Sequence, residues 1–136
     1  MATTCPSESI LVRQEADLVA TRNKVRQYAK NAGLGLVDET KLITAASELA
    51  RNMLLYAGSG SVFIELITSR MATGVRVTFE DHGPGIDDLA LAMTDGYSTS
   101  QGLGLGLPGA KRLVDEFEIN TQKGQGTRVI VTKWKR

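Results

Sequence analysis

The stretch GYSTSQGLGLGLPGAKRL, from Gly96 to Leu113, holds the densest run of glycines in the chain. Four glycines fall within eight residues, ahead of a helix-like sequence: Gly102, Gly104, Gly106 and Gly109. Glycine lets backbone N–H groups approach an anion closely, and a helix N-terminus supplies further unpaired donors with partial positive charge. Pro108 suits a first helical turn, where its missing N–H costs nothing. The stretch therefore predicts a phosphate-binding loop that leads into a helix.

Other glycine-rich motifs fit this stretch less well. Gly104 to Gly109 matches the dinucleotide pattern G-x-G-x-x-G, but polar TDGYSTSQ precedes it where that motif requires a strand. No acidic residue follows about 20 positions later, and neither a G-K-[ST] sequence nor an H-R-D and D-F-G pair is present. A flexible linker is the remaining alternative. Leu103, Leu105 and Leu107 alternate with the glycines, which favours a docked loop over a linker.

A second stretch, SELARN, places Glu48 and Asn52 four residues apart inside a predicted helix. Residues at this spacing share one helix face. An amide oxygen is a suitable ligand for Mg²⁺, which takes its other oxygens from water and substrate phosphates. A carboxylate can accept a proton from an attacking hydroxyl. The alternative is an ordinary solvated helix face.

A third stretch, EDHGPGI, places Asp81 at the end of an alternating strand, above a tight turn formed by Gly83, Pro84 and Gly85. A carboxylate there can accept a hydrogen bond from the adenine N6 amine, and the two glycines would leave room for the flat base. The alternative is an Asx-turn, in which Asp81 only caps its own backbone. We interpret His82 as a turn residue, since no second His or suitably spaced Cys accompanies it.

The hydrophobic periodicity predicts an α+β fold, with a mixed, mainly antiparallel sheet and helices on one face. The predicted strands are an edge strand Glu8–Arg13, SVFIELITS, GVRVTFED, FEINTQ and GTRVIVTKW, with turns at Met71–Gly74 and Lys123–Gly126. The predicted helices are Ala16–Asn31, a helix capped by Asp38 and ending at Ala57, Asp88–Met93 and Leu107–Glu116.

The composition indicates one domain, residues 1–136, of ordinary globular character, with 42% hydrophobic and 23% charged residues. A net charge of +1 argues against nucleic acid or an anionic membrane as the partner. No apolar run is long enough to span a bilayer, and the N-terminus lacks the pattern of a secretory signal. The single Cys5 fits a reducing compartment, so we expect a cytoplasmic protein.

The order of the motifs is more specific than any one of them. A helix with Glu-x-x-x-Asn, a strand ending in Asp-x-Gly-x-Gly, a Gly-x-Gly-x-Gly loop entering a helix, and Gly-Thr before the last strand follow in turn. This order resembles the GHKL superfamily of ATP-binding proteins, whose α/β sandwich is the Bergerat fold. The phrases GLGLGLPGAKRLVDEF and VTKWKR are similar to the RsbT-type serine/threonine kinases of bacterial stress-signalling modules.

The resemblance implies ATP and Mg²⁺ as ligands and assigns roles to matching residues. Asn52 would bind Mg²⁺ and Glu48 would be the catalytic base, while Asp81 would bind the adenine amine. Thr127 would support the adenine end. The remaining implied nucleotide contacts are the base-pocket glycines Gly83 and Gly85 and the phosphate lid Gly102, Leu103, Gly104, Leu105 and Gly106.

The resemblance also implies partners. RsbT-type kinases phosphorylate STAS-domain proteins of a scaffold complex, the stressosome, and after release activate a PP2C-type phosphatase. Alternatives are an anti-sigma factor, a non-catalytic ATP-gated binding module, and the catalytic domain of a split histidine kinase. The sequence leaves open the oligomeric state and whether Arg51, Lys111 and Arg112 contact nucleotide or partner.

Overall fold

The computed structural model describes residues 7–85 and 107–136. Their helices and strands follow in the order β1 Ser7–Val12, α1 Glu15–Ala32, α2 Leu36–Ala57, β2 Gly60–Ser69, β3 Ala72–Asp81, α3 Leu107–Leu113, β4 Glu116–Gln122 and β5 Gly126–Trp134. The predicted helix Asp88–Met93 and the glycine run Gly102 to Gly106 lie outside these residues. Within the described ranges, no helix has the length and apolar character needed to cross a membrane.

The five strands form one sheet in the order β1-β2-β3-β5-β4. Each of the four pairings among the described strands is antiparallel. The prediction of a mainly antiparallel sheet with β1 at an edge is confirmed, and no parallel pair occurs in the described part of the chain. The central strand β3 aligns Asp81 with Thr127 of β5, which brings the two predicted site residues side by side.

The core lies between one face of the sheet and the helices. Alternate residues of the central strands point into it, and these are fully or almost fully buried: Val62, Ile64, Val75, Val77, Phe79, Val129 and Val131. Leu42, Ala46, Leu49 and Met53 form the buried stripe of α2, as the helical spacing predicts. The α+β layering is therefore confirmed, with α2 packed directly behind the strands that carry the site.

The edge strand β1 is attached to α1 by a small polar cluster. Glu8 accepts a hydrogen bond from the Tyr28 hydroxyl at 3.1 Å and forms an ion pair with Lys24 at 3.1 Å. The hydrogen bond with Lys24 lowers the pKa of Glu8, whereas burial raises the pKa of Tyr28. None of these three residues lines the cleft that contains the predicted site residues.

Helix α2 begins earlier than predicted. Gly35, in an extended conformation, is its N-cap, so Asp38 lies inside the first turn and the expectation that Asp38 caps the helix is wrong. The boundary was obscured because Leu36 and Val37, at the helix start, are apolar but 75% and 68% exposed. The predicted C-terminal end at Ala57, followed by Gly58 in the left-handed conformation, is confirmed.

Two other boundaries also differ from the sequence-based prediction. The β2–β3 turn comprises Arg70 and Met71 rather than Met71–Gly74. Gly74 lies within β3, where a Cβ atom would come within 2.6 Å of the Lys133 carbonyl oxygen, so the glycine reflects close packing. Helix α3 ends at Leu113 instead of Glu116, because the N–H of Asp115 bonds to the carbonyl oxygen of Thr132 and starts the β4 pairing.

Candidate active site

A cleft opens between α2, the end of β3, the turn after it, and the start of α3. Its lining combines two polar groups on facing elements, Asn52 on α2 and Asp81 on β3, with Thr127 of β5. The other lining residues are Leu49, Met53, Tyr56, Ala57, Phe79, Pro84, Gly85, Leu107 and Val129. Four of the predicted site residues, Asn52, Asp81, Gly85 and Thr127, therefore meet in one place.

The walls of the cleft are mostly apolar, and the sequence-based reasoning did not identify these residues as part of the site. Leu49, Met53 and Tyr56 lie on the same face of α2 as Asn52, at helical spacing. The sequence predicts a core stripe through Leu49 and Met53, separate from the face of Glu48 and Asn52. The structure instead places Leu49 and Met53 beside Asn52 in the cleft wall. An apolar slot with a few convergent polar groups suits a flat heteroaromatic ring.

The Asp81 carboxylate is held by its own turn. Its Oδ1 accepts hydrogen bonds from the N–H of Gly83 at 2.9 Å and the N–H of Thr127 at 3.3 Å. The first of these bonds is the Asx-turn that the sequence left as an alternative. Within the described residues, Oδ2 of Asp81 has no hydrogen-bond partner, so one oxygen is anchored while the other remains available to a ligand donor in the cleft.

Thr127 is fixed from the opposite side. Its hydroxyl lies 2.9 Å from the hydroxyl of Thr121 on β4, and its N–H bonds to Asp81. Thr121 also donates to the carbonyl oxygen of Gly126 at 3.3 Å. The end of the β4–β5 hairpin therefore holds Asp81 and Thr127 together as a preorganised polar edge of the cleft.

The glycines near Asp81 serve close backbone packing. A Cβ at Gly83 would lie 2.6 Å from the Cβ of Ala57, so this glycine lets the turn rest on the end of α2. At Gly85, φ is +79° and a Cβ would collide with the carbonyl oxygen of Gln122. The space that side chains at Gly83 and Gly85 would need is therefore occupied by α2 and the β4–β5 hairpin. This differs from the expectation that the two glycines leave room for the base. Gly85 still lines the cleft, whereas Gly83 does not.

Gly126 provides a stability prediction. Its φ is +123°, and a Cβ there would collide with the carbonyl oxygen of Asp81. We expect Gly126→Ala to lower the free energy of unfolding by about 2 kcal/mol or more, because strain and a backbone clash combine. Gly124→Ala is the matched control, since Gly124 also has positive φ, +79°, but open space around a Cβ. Urea denaturation measures the free energy of unfolding of both variants. An equal decrease in the two variants would contradict the role of the backbone clash at Gly126.

On α2, Glu48 precedes Asn52 by about 6 Å along the helix axis. Asn52 lines the cleft, whereas Glu48 is half-buried and is not part of the lining. Within the described residues Glu48 has no hydrogen-bond or ion-pair partner. The pair therefore shares a helix face, as predicted, and of the two only Asn52 lines the cleft.

The basic residues left open by the sequence lie on the surface. Arg51 is exposed on α2, and Lys111 and Arg112 are exposed on α3; none of them lines the cleft. His82 is exposed in the turn, as interpreted from the sequence. Among the described residues, no group of three or more His, Cys, Asp or Glu could hold a metal ion by itself. A cation at Asn52 would need ligands from water and a bound phosphate.

The sequence of this chain is similar to one family model and to curated proteins of two kinds. The family model described as "Histidine kinase-, DNA gyrase B-, and HSP90-like ATPase" matches residues 37–136. The serine/threonine-protein kinase RsbT of Bacillus subtilis (strain 168) is 49% identical over 127 residues, covering 93% of this chain and 96% of the relative. An anti-sigma F factor of Thermoanaerobacter sp. (strain X514) is 27% identical over 118 residues, covering 83% of this chain and 82% of the relative.

Proposed function

We propose that this chain phosphorylates STAS-domain proteins of a partner-switching module. The premise is that the chain belongs to the histidine kinase-, DNA gyrase B- and HSP90-like ATPase family and is a serine/threonine protein kinase that uses ATP. The observation that carries the proposal is the cleft in which the apolar slot meets Asp81, Thr127 and Asn52. In this proposal the kinase acts in the cytoplasm, where its partners reside.

The cleft suits the adenine ring of ATP. Phe79, Met53 and Val129 supply apolar walls on either side of the slot, and the Oδ2 atom of Asp81 is positioned to accept a hydrogen bond from the N6 amine. Since Oδ1 is already held by two backbone N–H groups, the carboxylate needs no rearrangement to bind the base. Preorganisation of this kind lowers the entropic cost of binding.

The phosphate end of ATP would then extend along α2 toward Asn52 and Glu48. We assign Asn52 as a ligand of Mg²⁺, whose charge neutralises the phosphates during transfer. We assign Glu48 as the base that accepts the proton of the substrate serine or threonine hydroxyl. The hydroxyl oxygen bonds to the γ-phosphorus, the bond from that phosphorus to the β–γ bridging oxygen breaks, and ADP leaves. The segment from Gly102 to Gly106, with Leu103 and Leu105, is assigned to the phosphates on its sequence alone.

The partner assignment rests on family resemblance. The relative that covers nearly the whole chain is named as a serine/threonine-protein kinase, and the signature phrases GLPGAKRLVDEF and VTKWKR point to the same group. We propose that, after phosphorylating a STAS-domain protein in a scaffold complex, the released chain binds and activates a PP2C-type phosphatase. The chain would then act both as an enzyme and as an exchangeable binding partner.

An anti-sigma factor is the second candidate function. It is supported by relatives that are named as anti-sigma F factors, at 27–28% identity over 69–83% of the chain. The much higher identity to the kinase, 49% over 93% of the chain, favours the first candidate. Stable co-purification with a sigma subunit, in place of phosphate transfer to a STAS protein, would support the second.

The decisive experiment uses the purified chain, Mg-ATP and the STAS-domain protein encoded by a neighbouring gene, with intact masses recorded over time. We expect one added phosphate on a serine or threonine of the STAS protein. ATP binding without any added mass on this protein would contradict the kinase assignment for it. Addition of the free chain, without a STAS-domain protein, to a PP2C-type phosphatase encoded nearby would test the second step, and an unchanged phosphatase rate would contradict it.

Asn52→Asp tests the Mg²⁺ assignment. The added carboxylate places negative charge beside the phosphates, so we expect ATP affinity to fall by about tenfold and its dependence on Mg²⁺ to change. Calorimetric titrations with Mg²⁺ and with chelator measure both effects. Arg51→Ala, an exposed neighbour outside the cleft, is the control and should bind ATP normally. Unchanged affinity of Asn52→Asp under both conditions would remove Asn52 from the site.

A further inference from the structure

The C-terminal ends of the two phrases, VDEF and VTKWKR, meet outside the cleft lining, around a buried lysine. Lys133, near the end of β5, has a side chain that is only 4% exposed, and its Nζ lies 3.4 Å from both Asp38 Oδ1 and Asp115 Oδ1. Arg136 forms ion pairs with the same two carboxylates. Two acidic and two basic groups thus form a charge-balanced cluster, which we call the Lys133 cluster: Asp38, Asp115, Lys133 and Arg136.

The Lys133 cluster joins three separate parts of the chain. Asp38 belongs to the first turn of α2, Asp115 lies between α3 and β4, and Lys133 belongs to β5. Lys133 continues the inward alternation of Val129 and Val131, so its side chain enters the layer between sheet and helices. A buried charge at this position is costly unless it is paired, so Lys133 requires Asp38 and Asp115 to stay close to it.

The junction between α3 and β4 is held especially firmly. The N–H of Asp115 bonds to the carbonyl oxygen of Thr132 at 2.9 Å, and Oδ2 of Asp115 accepts the N–H of Trp134 at 2.7 Å. The indole Nε1 of Trp134 donates to Glu116 at 2.7 Å. The C-terminal end of α3 is therefore fixed to the end of β5 by backbone and side-chain contacts.

Helix α3 links this junction to the cleft. Its first residue, Leu107, is 4% exposed and lines the cleft, and its seven residues span only about 10 Å. Lys133, by contrast, lies six residues along β5 from Thr127, about 20 Å from the polar edge of the site. A shift at the α3–β4 junction would be transmitted through this short helix, which packs on α2, to Leu107.

We infer that the Lys133 cluster is a positioning device for the nucleotide site: by fixing the C-terminal end of α3 against α2 and β5, it sets the place of Leu107 in the cleft wall. The inference rests on the proposed use of the cleft for ATP. Lys133 acts through α3 and has no contact with the nucleotide.

The test is ATP affinity, measured by calorimetry, together with thermal stability. Lys133→Met leaves Asp38 and Asp115 facing each other with only Arg136 between them, so we expect ATP binding to weaken by about tenfold. The double variant Lys133→Met with Asp38→Asn restores charge balance and should recover part of the loss. If Lys133→Met does not fold, Asp115→Asn replaces it, because the amide oxygen can still accept the Trp134 N–H while the charge is removed.

Lys24→Met is the matched control. It removes the ion pair with Glu8 that attaches β1 to α1, without touching α2, α3 or the cleft. Because this ion pair is exposed, we expect its removal to change thermal stability little and to leave ATP affinity unchanged. The positioning role of the Lys133 cluster would be overturned if Lys133→Met bound ATP with normal affinity. It would also be overturned if Lys24→Met lost as much ATP affinity as Lys133→Met. Failure of the unchanged chain to bind ATP would overturn the proposed function itself, which keeps the two failures distinct.

Discussion

Glu48→Ala is expected to bind ATP with nearly normal affinity and to lose phosphotransfer by about 100-fold or more. The reason is the position of Glu48: it shares a helix face with Asn52 but is not part of the apolar slot that would hold the base. Its removal therefore leaves the proposed adenine contacts intact and takes away only the proposed acceptor of the hydroxyl proton. General-base catalysis typically contributes 10²–10⁴-fold, which sets the size of the expected loss.

The measurement is the initial rate of phosphate addition to the STAS-domain partner by intact mass, with ATP affinity from calorimetry on the same preparation. Glu48→Gln is the matched variant, because it keeps the size and hydrogen-bonding capacity of the side chain but cannot accept the proton. A lower phosphotransfer rate in both variants identifies Glu48 as a base. A lower rate in Glu48→Ala alone identifies an orienting hydrogen bond. Wild-type transfer by Glu48→Ala would remove Glu48 from the reaction.

Much of the fold was predictable because local patterns and tertiary packing agree. The alternation of Val75, Val77 and Phe79 predicts a half-buried strand, and these residues do face the helices. Gly33 and Gly58 end α1 and α2 in the left-handed conformation, so their positions predict the helix ends. The family resemblance implied a common site for Asn52, Asp81 and Thr127. Asp81 ends β3 and Thr127 lies near the start of β5, while Asn52 lies inside α2.

The features that escaped prediction depend on contacts between elements distant in sequence. Tyr56 and Leu107 line one cleft only because α3 packs on α2, so neither residue alone signals a binding wall. The role of Asp38 was misassigned because a carboxylate at a helix start is a common N-cap, whereas here Gly35 begins the helix and Asp38 pairs with Lys133. The alternation of Val129 and Val131 does place Lys133 on the inward face of β5, but the acidic partners that allow its burial come from α2 and the α3–β4 junction.

Asp81→Asn is the second variant with a large expected effect, and its direction follows from the hydrogen bonds of the turn. The atom at the Oδ1 position must accept the N–H groups of Gly83 and Thr127, so the amide oxygen of the new asparagine takes that place. Its NH₂ group then occupies the position of Oδ2 and faces the N6 amine of adenine, donor against donor. Loss of the bond and an unsatisfied donor together cost about 2–3 kcal/mol, or roughly 30- to 150-fold in ATP affinity.

The same geometry predicts a change of specificity, which distinguishes a lost contact from general damage. Inosine triphosphate carries an acceptor oxygen where ATP carries the N6 amine, so Asp81→Asn should shift the preference away from ATP toward inosine triphosphate. Calorimetry with both nucleotides measures the ratio. Asp17→Asn is the matched control, because Asp17 also accepts two backbone N–H groups, from Arg13 and Gln14, but lies outside the cleft. If Asp81→Asn lost affinity equally for both nucleotides, Asp81 would support the turn without a hydrogen bond to the base.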